Sequence, residues 1–390
     1  MNKAFAKFKH ITTLLAGISI AAIPAVGQAD WSIVALERLD KRDFTGGNIA
    51  NALNDSGQVV GTSGIFDNGF ITGPNGVGMT ELGTFWGETR AYDISSSGQV
   101  VGTSFDGNES RAYLTGPDGV GMKDLGSLFG YAGAITVNDS AQVAGYSYMG
   151  TPGTHAFITG PNGVGMTDLD KSFDGSRHSL PAGINEAGQV VFNNLTNNGH
   201  YHAYMTGPDG VGITELGTLG GKVNFASSIN DSGQIVGWSN TGNGTHAFIT
   251  GPNGVGMTDL GTLGGGKSSN ATSINDSAEV IGTASAADGS HHAFLYSHGG
   301  MTDLSMLDVV VATGWTDIQV TDINNNGQIV GYGTDGFNTQ AFLLSYSPDT
   351  VFDPQPIFIP SIPEPEIYAM LLGGLGLIGF MARRRKAAVA

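Results

Sequence analysis

HAFITGPNGVGMTDL stands at His155–Leu169 and again, letter for letter, at His246–Leu260. A catalytic site is needed once, so a phrase copied whole speaks of architecture. Its centre is turn chemistry: in Gly251-Pro252-Asn253-Gly254, proline presets φ at the corner, asparagine tolerates unusual dihedrals and glycine allows positive φ. The flanks, His246–Thr250 and Met257–Leu263, have the length and alternation of short strands. Phe248 and Ile249 then point to opposite faces, so the phrase reads as a β-hairpin covered on both sides.

A second phrase precedes the first. Ile229–Gly237 (INDSGQIVG) recurs at Leu53–Gly61, Ile94–Gly102, Val137–Gly145, Ile184–Phe192, Ile274–Gly282 and Ile323–Gly331, which makes seven copies. The steps between them are 41, 43, 47, 45, 45 and 49 residues, a period that means a repeat architecture. Each period holds four extended segments: one ending at Ile229, then Gln234–Trp238, His246–Thr250 and Met257–Leu263 in the fifth copy. Four short antiparallel strands per unit are what a β-propeller blade needs.

The copy count sharpens this. The first three segments occur seven times, but the fourth follows the third only six times, because Gln340–Leu344 runs into a proline-rich tail. The missing segment is at the front, where Ile33–Leu39 aligns with Met257–Leu263. An N-terminal strand that completes the last blade leaves no unpaired sheet edge. The expected fold is all-β, a seven-bladed β-propeller of four-stranded blades closed by an N-terminal strand, with an N-terminal signal helix and a C-terminal transmembrane helix.

His246-Ala-Phe, Asp259-Leu-Gly-Thr-Leu-Gly-Gly265 and Ile229-Asn-Asp-Ser-Gly together resemble the bacterial extracellular HAF repeat, over about residues 31–345. The resemblance implies export and little else. Three copies depart from it, with Gly69, Arg111 and Gln340 in place of the histidine.

Both ends carry address labels. Lys3, Lys7 and Lys9, the apolar run Ile11–Gly27 and the small residues of Gly27-Gln28-Ala29 read as a signal peptide over 1–29, cut by signal peptidase. At the other end Pro363-Glu364-Pro365 precedes the uncharged Ile367–Ala382, followed by Arg383-Arg384-Arg385-Lys386. As a helix the apolar part spans about 24 Å, short for a hydrocarbon core of roughly 30 Å, and the basic cluster keeps the remainder outside. This order and spacing over 363–386 resemble the PEP-CTERM sorting signal of Gram-negative bacteria, which implies an exosortase as processing partner and a transient stay in the inner membrane through helix 367–382. Residues 346–362, with Pro348, Pro354, Pro356 and Pro360, read as an extended linker.

Without its two ends the chain is strongly acidic. Residues 30–362 keep 32 of the 34 acids and 10 of the 17 bases, a net charge of −22. Such a body repels nucleic acid and anionic lipid. No cysteine is present, so no disulfide, thiol nucleophile or cysteine metal site exists, and stability rests on packing. Glycine, 62 of 390 residues, supplies the turns.

Motifs for chemistry are sparse. His155, His202, His246 and His292 occupy one place in different blades, so they spread around the ring and do not converge on a metal; His291-His292 alone is weak for zinc. Asn-Asp-Ser-Gly lacks the alternating ligands of a calcium loop and reads as an Asx turn. The glycine strings open no helix and cradle no nucleotide, and no nucleophile elbow leads into a helix, since none is expected outside the two ends. The sequence implies no metal and no cofactor.

Function in such a ring falls where copies differ. The loops joining second to third and fourth to first segments vary, and carry Phe66, Trp86, Phe105, Phe129, Phe173, Tyr148, Tyr201 and Trp315, with Trp238 at its strand end. Exposed aromatics stack on sugar rings or anchor a protein; they equally cap their own blades. Trp86, Tyr148, Tyr201, Trp238 and Trp315 are the candidate ligand rim, for exopolysaccharide or a surface protein. The position of Ser228 and Ser273 on the inner strand is held by Asp93 and Asp322 in the second and seventh copies, blades two steps apart around a closed ring. Two carboxylates facing one channel are the raw material of a glycoside hydrolase or lyase; two acids hydrogen-bonded to neighbouring turns explain the same letters. The reading adopted is a non-catalytic binding or structural protein of the cell surface or extracellular matrix, with a carbohydrate-active hydrolase or lyase as the alternative.

Overall fold

In a computed structural model, residues 30–39, 47–64, 67–85, 87–105, 108–148, 150, 153–170, 178–196, 198–334 and 336–347 are described. The signal peptide, the sorting signal with helix 367–382, and Phe66, Trp86 and Phe173 lie outside them. Among the described residues no helix is long and apolar enough to cross a membrane.

The unit Trp31–Tyr346 is built almost wholly of strands. Its fifth copy shows the plan: Asn224–Ile229, Ile235–Asn240, Thr245–Ile249 and Thr258–Gly261 pair antiparallel in that order. Five such four-stranded sheets stand alone, and the third and fourth copies join as one eight-stranded sheet through a single parallel pairing, Thr154 with His178. One sheet mixes the two ends of the chain: Asp30–Ala35 lies beside Thr339–Ser347, then Ile329–Thr334 and Thr316–Ile323. The front strand begins and ends earlier than the expected 33–39. Its alignment is nonetheless the one the repeat demands: Leu36 donates its N–H to Ala341 O at 2.9 Å, as Leu125 does to Ala112 O and Leu216 to Ala203 O.

The repeated turns take the conformations their residues allow. Asn253 sits at φ 54° and Gly254 at 69°, both left-handed, where asparagine and glycine are the tolerated residues. The phenylalanine of the repeat explains the glycine of the second strand. Phe157, Phe248, Phe294 and Phe342 are fully buried, and a Cβ on Gly145, Gly282 or Gly331 would meet the phenylalanine ring at 2.9 Å or less. In the fourth copy Phe192 replaces that glycine and stacks on Tyr204 at 5.6 Å. Burial of each ring stabilises by roughly 1.5–3 kcal/mol.

Each apolar cluster spans two successive copies. Phe248 packs with Val191 and Ala203 of the fourth, and Val236 and Ala247 pack with Ala271 and Val280 of the sixth. The same holds between seventh and first, where Leu36, Val330 and Leu343 meet Ala50, Leu53 and Phe70. Opposite to expectation, one helical turn, Asp308–Val311, interrupts the loop before the seventh inner strand, and its Val310 is buried against Ile318 and Leu304.

Candidate functional site

The inner strands hold the feature that periodicity hides. Every pairing of an inner strand with its neighbour slips register by one residue, between Ala91 and Asp93, Ala226 and Ser228, Val320 and Asp322 and their equivalents. Such a bulge re-aims the residues it carries. The pairs it re-aims, among them Tyr92-Asp93, Ser227-Ser228 and Thr321-Asp322, line a cavity of about 440 Å³ to which all seven inner strands contribute. The sequence did carry a signal. Ala226 and Ile229 face one cluster although three residues apart, as do Ala91 and Ile94, a spacing no regular strand permits.

Asp93 and Asp322 stand half-buried on this wall. Asp93 accepts from Ile94 N–H at 2.8 Å, and in the next copy from Thr136 Oγ1 at 2.7 Å and Val137 N–H at 2.9 Å. Asp322 accepts from Ile323 N–H at 2.9 Å, Ser273 Oγ at 2.7 Å and Leu53 N–H at 3.0 Å. Both carboxylates therefore stitch one copy to another. Desolvation pushes Asp93 up to about 6 against the hydrogen bonds that lower it. Desolvation, with the charge of Asp93 added, pushes Asp322 up to about 7.

A second cavity of about 190 Å³, which shares Ile184, Ile229 and Ile274 with the first, is acidic, lined by Asp55, Glu186, Asp231 and Asp276. These residues form a relay between turns: Glu186 N–H donates to Asp231 at 2.9 Å, Asp231 N–H to Asp276 at 2.9 Å, and Asn325 N–H to Asp55 at 2.9 Å. Burial, then the neighbouring carboxylates, raises Glu186 and Asp231 above the ordinary carboxylate range. Among the described residues no three His, Asp or Glu side chains are grouped to hold a metal.

The histidines of the repeat answer to a local need. His155, His202, His246 and His292 each place Nδ1 against an acid on the fourth strand of the same copy, Asp168, Glu215, Asp259 and Asp303, at 3.2, 2.6, 2.8 and 2.6 Å. In the second copy Arg111 takes the place with Asp124 at 2.8 Å. Cross-strand pairing of a basic side chain with an acid is what the position supplies.

The aromatic candidates divide. Tyr148 is exposed at its strand end, beside Tyr131 at 6.1 Å, with Phe105 and Phe129 also exposed on this side. Tyr201 meets Phe225 edge-on at 5.7 Å, and Phe225 lies parallel to Trp238 at 5.8 Å, so three half-buried rings bridge the fourth and fifth copies. Trp315 follows the other of the two readings, capping its own blade: it stacks on Phe342 at 6.0 Å and packs against the core of its own copy. Its neighbour Gly333 leaves the ring room that a side chain would fill.

Comparison with known proteins adds address and fold. A family model described as the PEP-CTERM protein-sorting motif matches residues 361–386. This motif is recognised by exosortase during sorting, so the chain is an exported protein of the cell surface or extracellular space. Acylaminoacyl peptidase is similar over 77% of this chain and 51% of its own, at 10% identity and a TM-score of 0.53. YCF48 from Cyanidioschyzon merolae is similar over 83% of this chain and 100% of its own, at 12% identity and 0.51. The β-propeller domain of the Trilobed protease from Pyrococcus furiosus is similar over 77% and 97%, at 11% identity and 0.50. The chain spans about half the length of the peptidases it matches. At these identities the likeness is one of fold, a β-propeller. No curated protein sequence matches the chain.

Proposed function

We propose that residues 31–345 form a seven-bladed propeller closed by the strand Asp30–Ala35, and that this ring is a non-catalytic binding module whose loop-bearing rim takes exopolysaccharide at the cell surface. Closure is supported by the bonds that run from the seventh copy back to the first: Asn324 Nδ2 to Asn54 O at 2.9 Å and Leu53 N–H to Asp322 at 3.0 Å. The observation that carries the functional reading is a set of aromatic rings left facing solvent at strand ends and in loops of the variable side, Phe105, Phe129, Tyr131 and Tyr148. Contiguous exposed apolar surface marks interaction sites, the Tyr131 and Tyr148 rings lie together at 6.1 Å, and planar rings on a rigid frame suit the apolar faces of sugars. The carboxylates weigh against chemistry, because both oxygens of Asp93 and of Asp322 already accept bonds within the protein.

Co-sedimentation of the purified mature chain with the producing cells' own exopolysaccharide tests this. The chain should pellet with the polymer and leave its length unchanged, and Tyr131→Ala with Tyr148→Ala should reduce the bound fraction at least fivefold. A double variant that binds as the parent does would place recognition elsewhere. Shortening of the polymer that stops in Asp93→Asn or Asp322→Asn would favour the hydrolase or lyase.

A further inference from the structure

A second feature of the loop-bearing side is a slot between the fifth and sixth copies, with a volume of about 320 Å³, walled by Trp238 and Thr245 on one side and Asn270, Thr283 and His291 on the other. That volume is at the small end of the roughly 300–1,000 Å³ range of ligand pockets. Trp238 is held in its plane by the parallel Phe225 ring 5.8 Å away, which Tyr201 backs edge-on. The aromatic wall is thus fixed before any ligand arrives, which limits the ordering cost of binding.

The opposite wall has hydrogen-bonding capacity that the fold does not use. Among the described residues the side chains of Asn270, Thr283 and His291 make no hydrogen bond, whereas the nearby Ser269 donates to Gly261 O and Thr245 to Asn240. Asn270 and His291 are also exposed, so the slot opens to solvent. An amide, a hydroxyl and an imidazole offer donors and acceptors to neighbouring hydroxyls, while an indole offers a face to C–H groups.

Charge narrows the ligand. In a body of net charge −22, no Asp, Glu, Lys or Arg lines this slot. The corresponding gap between the second and third copies differs, for Glu88 and Arg90 line it, and Arg90 is paired with Asp67. An acidic sugar would enter the slot between the fifth and sixth copies against the field of the whole molecule, with no fixed cation to receive it.

We infer that this slot binds one neutral pyranose unit of a polysaccharide, stacked on Trp238 and hydrogen-bonded by Asn270, Thr283 and His291. The inference rests on the rim being a saccharide-binding face and names the class of sugar that one place on it takes.

Binding of the mature chain to an array of neutral hexasaccharides (cello-, malto-, manno- and galacto-configured) and hexagalacturonate, followed by titration calorimetry on the best neutral probe, tests it. The expected result is binding to at least one neutral probe, hexagalacturonate at least tenfold weaker, and a tenfold or greater loss in Trp238→Ala. Asn270→Ala and His291→Ala, both at exposed positions that leave the fold intact, should each weaken binding at least threefold, so the test stands even if the tryptophan variant misfolds. Neutral probes that bind these variants with parental affinity, or a preference for hexagalacturonate, would overturn the slot while leaving the rim reading. Absence of binding to every neutral probe would overturn the slot, and failure to pellet with exopolysaccharide as well would overturn both.

Discussion

Asp93 and Asp322 show how one residue can be read two ways from its letter and one way from its neighbours. Each stands where two other copies have serine, Ser228 and Ser273, and accepts the N–H that closes the next inner strand, Val137 or Leu53. In doing so each gives up water, and desolvation raises its proton affinity. The sign of the consequence follows from linkage. With 3.8 for the unfolded chain and about 6 and about 7 in the fold, the folded state binds more protons between those values. Stability from these groups is therefore greatest below about pH 4, falls as pH rises, and reaches its floor above about pH 7. Asp170 acts in the same direction, raised to about 6 by burial. Urea midpoints should decline steadily from pH 4 to pH 8, and the Asp93→Asn, Asp322→Asn double variant should show a shallower decline. An equal slope in both proteins would mean that these carboxylates are better solvated than their position indicates.

At the scale of the element, the hairpin turns were legible and the bulge was not. Gly-Pro-Asn-Gly and Asn-Asp-Ser-Gly name their own dihedrals, so hairpins, strand order and copy number followed from letters alone. The bulge leaves its trace only in an odd spacing of buried residues, and without it the lining of the cavity cannot be listed. Likewise, a run of three valines, Val309–Val311, did not announce the helical turn that buries Val310 in the cluster on which Trp315 packs. The turns also do more than reverse the chain. Asn138, Asn185, Asn230 and Asn275 each donate Nδ2–H to the carbonyl of the corresponding turn residue in the next copy at 3.1 or 3.2 Å, and Asn54 and Asn324 do the same. The second copy breaks this relay, because Ser95 has no amide to offer Asn138 and its hydroxyl pairs with Ser97 of its own turn. Ser95→Asn should restore the seventh link and stabilise the chain by about 0.5–1.5 kcal/mol, the usual net worth of one hydrogen bond. Chemical denaturation measures it; a neutral or destabilising result would show that the second turn differs in more than its side chain.

The whole molecule depends on how its two ends meet. Seven copies whose clusters each span a neighbour leave a first and a last face without partners unless the end strands combine. The front strand covers Thr339–Ser347, and Leu36 enters the cluster shared by Val330, Leu343 and Ala50. Trp31 rests on Tyr346 at 5.1 Å. In the closed ring we propose, one face carries the constant turns with their acidic residues and the other the variable loops with aromatic rings, and the proposed recognition lies on the latter. Amide hydrogen exchange of the intact mature chain, read at Trp31–Leu36, tests this closure most directly. Protection there should match that of the equivalent outer strands, such as Met122–Leu125, and be lost together with it on adding denaturant. Exchange at the rate of an open chain at Trp31–Leu36, while Met122–Leu125 stays protected, would contradict the closed ring.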